Sequence, residues 1–331
     1  MTSATGIGSM PGEDATAYDE ALRTVLGELP DLPYLPELPG RGAAANMTGR
    51  ALAIVAELGA DLQPAGWRLT DAPGTDQRRA RSLLAQDLDA AEELTQGWKG
   101  RFKIQVAGPW TLAATVERPR GDRILADHGA RRELAQALAE GLGHHIADVQ
   151  RRIPGAEIIV QVDEPMLPAV MAAQIPTASG FSRHRSVDAP GASPALEWVF
   201  SAVKAAGATP VAHCCAANVP ISLLTGAGAE GISVDLSVLP LSAYDDLAGV
   251  IERAGPVFLG VTPSTEPVTS PSESGLTDRV LRFLDMLGFD PESAGKQLVI
   301  TPACGLAGAT PHWARQALTL SQKIATNLGS T

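Results

Sequence analysis

Two side chains able to bind a metal stand two residues apart in the stretch TPVAHCCAANVP, Thr209–Pro220: His213 and Cys215. Another, Cys304, follows in LVITPACGLAG, and these two stretches hold all three cysteines of the chain. On an extended strand end, residues i and i+2 project to the same side. His213 and Cys215 can therefore reach one ion, while Cys214 turns the other way into packing. Imidazole and thiolate suit Zn²⁺, and a carboxylate can complete a tetrahedron around it. Asp235, at the end of GISVDLS, is placed to be that carboxylate. A lone cysteine is commonly a small buried hydrophobe, which is the reading for Cys214. What points to a metal is the joint placement of His213, Cys215, Asp235 and Cys304 at the ends of strand-like runs.

Carboxylates close two further runs. Asp163 and Glu164 end EIIVQVDEP, and Glu37 ends LPYLPEL. A carboxylate so placed can hold a substrate ammonium group; the other reading is a helix cap or a rim ion pair. Ser9 sits beside Gly8 in TGIGS, where the glycine lets a ligand approach the main chain, so backbone N–H groups there can receive a carboxylate. His128, His144, His145, His184 and His312 lie in helical or loop stretches and read as surface residues, with His184 alone a possible loop contributor.

These residues can act together only if their runs lie side by side. The runs are Thr5–Ser9, Leu32–Leu38, Phe102–Pro109, Glu157–Pro165, Thr209–Cys215, Gly231–Ser237, Pro256–Pro263 and Gln297–Gly305. Most are continuously apolar, as strands buried on both faces of a parallel sheet are. Helical patterns alternate with them: Leu134, Leu138, Leu142, Ile146 and Val149 share one face, as do Trp313, Ala317, Leu320, Ile324 and Leu328. Eight strands alternating with helices predict a (β/α)₈ TIM barrel, a single domain over residues 1–331, with chemistry at the C-terminal ends of the strands. The strand-like GWRLTD, Gly66–Asp71, is expected as an excursion between the second and third barrel strands. A doubly wound open sheet is the weaker alternative, since GIGSMPG lacks dinucleotide-fingerprint spacing and no phosphate-loop motif occurs.

Composition narrows the function classes. The chain has 331 residues, is 45% apolar and carries a net charge of −11. An acidic chain without a basic stripe is an unpromising nucleic-acid binder. Its apolar runs are strand-sized, so no membrane span is expected. Three cysteines argue against a disulfide framework, and with no basic and apolar leader at the N-terminus the expected location is the cytoplasm.

The pieces GIGSMPG, VAGPWTL, VQVDEPML, VAHCCAAN, GISVDLS and ITPACGLAG, taken in order, resemble the catalytic C-terminal barrel of cobalamin-independent methionine synthases, in its compact single-barrel form. The corresponding family pieces read like I-G-S-F-P, G-P-V-T, I-Q-I-D-E-P, H-x-C, I-E and P-D-C-G-L. The resemblance implies zinc held by His213, Cys215, Asp235 and Cys304. It also implies homocysteine held by the Ile7-Gly8-Ser9 backbone, by Asp163 and by Glu37. Asp235 stands where the family usually has glutamate. The family's proton-donating histidine after the seventh strand is absent, since that run reads GVTPST. The tryptophan after G-P-x-T is displaced to Trp110, and the glutamate expected six residues beyond Asp163 is missing. The implied activity is zinc-dependent methylation of homocysteine to methionine. The donor is a methyl-folate or a methylcobalamin-like corrinoid, and the corrinoid is favoured because it needs no proton donor. The alternatives are a non-catalytic zinc- or amino-thiol-binding barrel and a uroporphyrinogen decarboxylase-like enzyme.

Overall fold

A computed structural model describes residues 2–329; Met1, Ser330 and Thr331, which belong to the single-domain span expected above, lie outside the described residues. Its centre is a sheet of seven parallel strands. They are β1 (Ser3–Ala4), β4 (Gly100–Ala107), β5 (Ala156–Asp163), β6 (Thr209–Cys214), β7 (Gly231–Asp235), β8 (Val257–Thr262) and β9 (Leu298–Pro302), in the order β1-β9-β8-β7-β6-β5-β4. The remaining two, β2 (Gly59–Gln63) and β3 (Gly66–Thr70), form a separate antiparallel hairpin. The hairpin contains the expected excursion, and it precedes β4.

The alternation of side chains along each strand builds two apolar layers. One face packs under the helices: Ile104, Ile158, Val160, Val162, Ala212, Val234 and Ile300 belong to one continuous buried cluster with helix residues such as Leu138, Leu142 and Ala317. The opposite face contributes a small separate cluster of Leu32, Ile159, Val211, Phe258 and Val299, which plugs the inside of the curl. Both predicted helical faces are largely buried, Leu320 being only partly so. The helices start on side-chain caps: Asp127 accepts from the Ala130 N–H ahead of His128–Arg152, and Thr310 accepts from the Trp313 N–H ahead of Pro311–Leu328.

The expected second strand departs from the prediction. Leu32–Leu38 is not a strand but a chain of isolated parallel bridges, Tyr34 to Lys103 on β4 and Glu37 to Ser9 beyond β1. Lys103 N–H donates to Pro33 O (2.9 Å), Leu35 N–H to Lys103 O (2.9 Å) and Glu37 N–H to Gly8 O (3.0 Å). Pro33 and Pro36 have no N–H to donate, so a regular ladder cannot form. The segment nevertheless bridges both edges of the seven-stranded sheet, standing where an eighth strand was expected. The first strand is likewise shorter and earlier than expected, Ser3–Ala4 instead of Thr5–Ser9. Among the described residues, no helix is long and apolar enough to cross a membrane.

Candidate active site

At the C-terminal ends of the strands lies a cavity of about 230 Å³ lined by Ile7, Gly8, Ser9, Glu37, Met47, Gln105, Asp163, Pro165, His213, Cys215, Cys304 and Gly305. One ligand atom from each of His213, Cys215 and Cys304 lies within 4.8 Å of the others. β6 ends one residue before Cys215 and β9 ends two before Cys304, so residues 89 apart in sequence meet across the mouth. Their sulfurs pair, with Cα atoms 5.9 Å apart. Cys214 is free and buried, as predicted for the side chain that turns away. Reduced, Cys215 and Cys304 offer two thiolates, the form in which cysteine ligates.

The imidazole of His213 is prepared for the same task. Its Nδ1 is 2.9 Å from the Ser233 hydroxyl on the neighbouring strand, which leaves Nε2 for the cavity. Burial, followed by the positive charge of Lys103, pushes its pKa down to about 3, so the ring is neutral at physiological pH. Asp235 is not part of the cluster. Its Oδ1 accepts from Ser237 N–H (2.7 Å) and Ser237 Oγ (2.6 Å), and it does not line the cavity. The structure therefore gathers three of the four expected ligands.

The carboxylates separate into different tasks. Asp163 lines the cavity and accepts from Gln161 Nε2 (2.7 Å). Burial raises its pKa well above the usual carboxylate range, the negative charge of Glu37 adds to this, and Gln161 and Lys103 oppose it. Glu164 points away: its oxygens accept from Trp110 N–H (2.8 Å), Thr111 N–H (2.7 Å) and Thr111 Oγ1 (2.7 Å), capping the short helix Pro109–Thr115. Glu37 lines the cavity but also pairs with Arg50 (3.3 Å) and accepts from Gln105 Nε2 (3.1 Å). The ion-pair reading of Glu37 thus has a partner in Arg50, while its carboxylate also lines the cavity.

Beneath the cavity lies a polar layer that sequence reading missed. Lys103 is fully buried, its Nζ donates to Ile7 O (2.9 Å), and it sits 5.1 Å from the Tyr34 ring centroid. Burial pushes its pKa down to about 7, against the pull of Asp163 and Glu37. Gln161 Nε2 also donates to Ile7 O (2.8 Å). The signal was present in the strands quoted as apolar: polar residues at 103 and 105, and again at 161 and 163, share one face of each strand. The Ile7–Ser9 carbonyls are all engaged, by Lys103 and Gln161, by Glu37 N–H and by Leu306 N–H. At Gly8 a Cβ would stand 2.9 Å from the Gln105 side chain, so a larger residue there would push Gln105 aside.

Among the described residues, His213 is the one histidine lining the cavity, and Trp110 is buried with its Nε1 donating to Ala192 O (3.0 Å). No curated protein matches the chain. Its fold is similar to that of a B12-independent methionine synthase from Shewanella sp. W3-18-1 in complex with selenomethionine. That likeness has 13% identity, covers 100% of this chain and 98% of that one, and has a TM-score of 0.66. A β-mannanase from the blue mussel Mytilus edulis is less similar, with 11% identity, 100% and 92% coverage and a TM-score of 0.47. Residues 47–327, which include Asp163, His213, Cys215, Asp235 and Cys304, match the cobalamin-independent synthase catalytic domain, and the chain belongs to that family.

Proposed function

We propose that the chain is a zinc-dependent thiol methyltransferase whose acceptor is homocysteine or a close amino-thiol, built on one domain that is a distorted (β/α)₈ barrel closed by residues 32–38. The observation that carries this reading is the convergence of His213, Cys215 and Cys304 on a cavity that also contains Asp163 and the Ile7–Ser9 backbone. Zinc, when bound there, supplies the charge that keeps a substrate thiol deprotonated at neutral pH, where a free thiol with pKa about 8.5 is mostly protonated. Asp235 joins the ligand set only if its carboxylate leaves Ser237.

The protein's own groups orient the substrate. Asp163 accepts the ammonium group, and the N–H groups of Ile7–Ser9 receive the carboxylate. Lys103 and Gln161 hold that backbone by the Ile7 carbonyl. Fixing both ends of a small amino acid in about 230 Å³ directs its sulfur at the Cys215–Cys304–His213 corner, which is catalysis by orientation. Among the described residues no second histidine lines the cavity to protonate a departing folate nitrogen, so we favour a corrinoid methyl donor, whose departing group needs no proton. A porphyrinogen decarboxylase would leave the three converging ligands without a use.

The test is zinc content of the reduced protein beside a Cys304→Ser variant, followed by methionine formation from homocysteine with methylcobalamin and with methyl-folate. One zinc per chain, lost in the variant, together with turnover from methylcobalamin, is the expected result. Turnover from methyl-folate alone overturns the choice of donor. Absence of zinc in both proteins overturns the metal site. Zinc with tight homocysteine binding and no turnover identifies a catalytically silent amino-thiol-binding barrel.

A further inference from the structure

We infer that a second cavity, of about 640 Å³ and lined by Arg131, Arg183, Arg185, His128 and His184, binds a small polyanion carrying phosphate or carboxylate groups. Three arginines thus line one cavity in a chain whose net charge is −11. Asp188 is the one acid in the lining, and its Oδ1 is committed to Gly191 N–H (3.0 Å) as the cap of the helix Ala189–Ala205. The neighbouring acids are committed as well. Asp122 accepts from Ala178 N–H (2.9 Å), Arg123 N–H (2.7 Å) and the His184 ring (3.2 Å), tying the loop around Arg183 to the loop around Arg120. Asp127 accepts from Ala130 N–H (2.9 Å) and pairs with Arg118 (3.3 Å).

The cavity holds a half-buried guanidinium, that of Arg131, with no carboxylate ion pair. Several covered arginines elsewhere do have one: Arg41 and Arg50 share Asp87, and Arg152 meets Asp89, Glu92 and Asp148. Arg131 instead lies over Trp110, 5.5 Å from the ring centroid, with its Nη2 2.5 Å from His128 Nδ1. Desolvation pulls its pKa down, and only the more distant Asp127 opposes this. Arg183 and Arg185 form no ion pair among the described residues and stand exposed at the cavity edge. A charge drawn partly out of water without a partner is costly, and an incoming anion removes that cost. Arginine forks bind phosphate and carboxylate oxygens bidentately. The cavity is far larger than one phosphate ion, so its occupant carries several anionic groups or one attached to a larger body. The inference stands on this cavity alone, whether or not the chain transfers methyl groups.

Calorimetric titration of the folded protein with inorganic pyrophosphate and with tricarballylate tests it, at about 0.01 M ionic strength, where screening reaches only beyond about 30 Å. The expected result is saturable binding of at least one probe at one site per chain. Arg131→Met and the exposed Arg185→Ala should each weaken it about tenfold or more, the loss of a charged hydrogen bond. Tighter binding of pyrophosphate assigns the site to phosphate ligands, and tighter binding of tricarballylate to polycarboxylates. The inference is overturned if neither probe binds saturably, or if binding is unchanged in both variants. Arg185 is a surface residue, so its variant separates loss of binding from loss of fold.

Discussion

Asp163 and Glu164 are neighbours in sequence and turn to opposite sides of a strand end, so one faces the cavity and the other caps a helix. The VDEP doublet announces a functional carboxylate without saying which one it is. Asp163→Asn should weaken amino-thiol binding about 10- to 100-fold, the 1.5–3 kcal/mol of a charge-assisted hydrogen bond. Titration calorimetry with homocysteine checks this, and unchanged affinity would place the ammonium group elsewhere. Glu164 makes a different prediction. Burial raises its pKa from the ordinary 4.5 to about 7. In that window the folded state holds the proton that the unfolded state releases, so this group's contribution to stability is full below pH 4.5 and is lost as pH rises through about 7. Thermal melts of Glu164→Gln across that range should be flatter with pH than those of the parent, and parallel profiles would refute the assignment.

At the scale of elements, the polar face shared by β4 and β5 sets the charge of the site. Lys103 and Gln105 on β4 lie in register with Ile159 and Gln161 on β5, beneath Asp163. Lys103 lowers the pKa of both Asp163 and Glu37. Replacing it by methionine removes that pull, so both carboxyl groups should hold their protons to higher pH. Homocysteine binding by Lys103→Met should therefore rise only at higher pH than in the parent. Coincident pH profiles would show that Lys103 only fills space. The second barrel segment illustrates the opposite limit of element reading. LPYLPEL has a strand's apolar pattern, but its two prolines leave isolated bridges where a ladder was expected.

Across the whole molecule, the candidate ligands come from the ends of β6 and β9, and a metal bound there ties distant parts of the chain together. A ligand that binds only the folded state raises stability, by about 2.7 kcal/mol at a free concentration one hundred times its Kd. Zinc added to the reduced protein should accordingly raise Tm by several degrees, and a chelator should reverse the rise. Protein oxidised to the Cys215–Cys304 disulfide should show no such rise, because a disulfide sulfur is not a thiolate. Equal shifts in the reduced and oxidised proteins would count against this metal site.

The sequence by itself determined the α/β class, the alternation of buried strands with helices, and the residue types at the strand ends. Period-two and period-3.6 patterns are local, and glycine, proline, histidine and cysteine act where they stand. It also determined that Cys214 would face away from His213 and Cys215, since that follows from strand alternation alone. Only the tertiary structure decided which of these residues meet. It brought Cys304 to Cys215 across 89 residues and turned Asp235 to Ser237. It also buried a lysine under the carboxylates and left Arg131 without a carboxylate partner beside Trp110. Those outcomes depend on how seven strands curl and on how two proline-broken bridges hold the sheet's edges, and packing over the whole chain sets both.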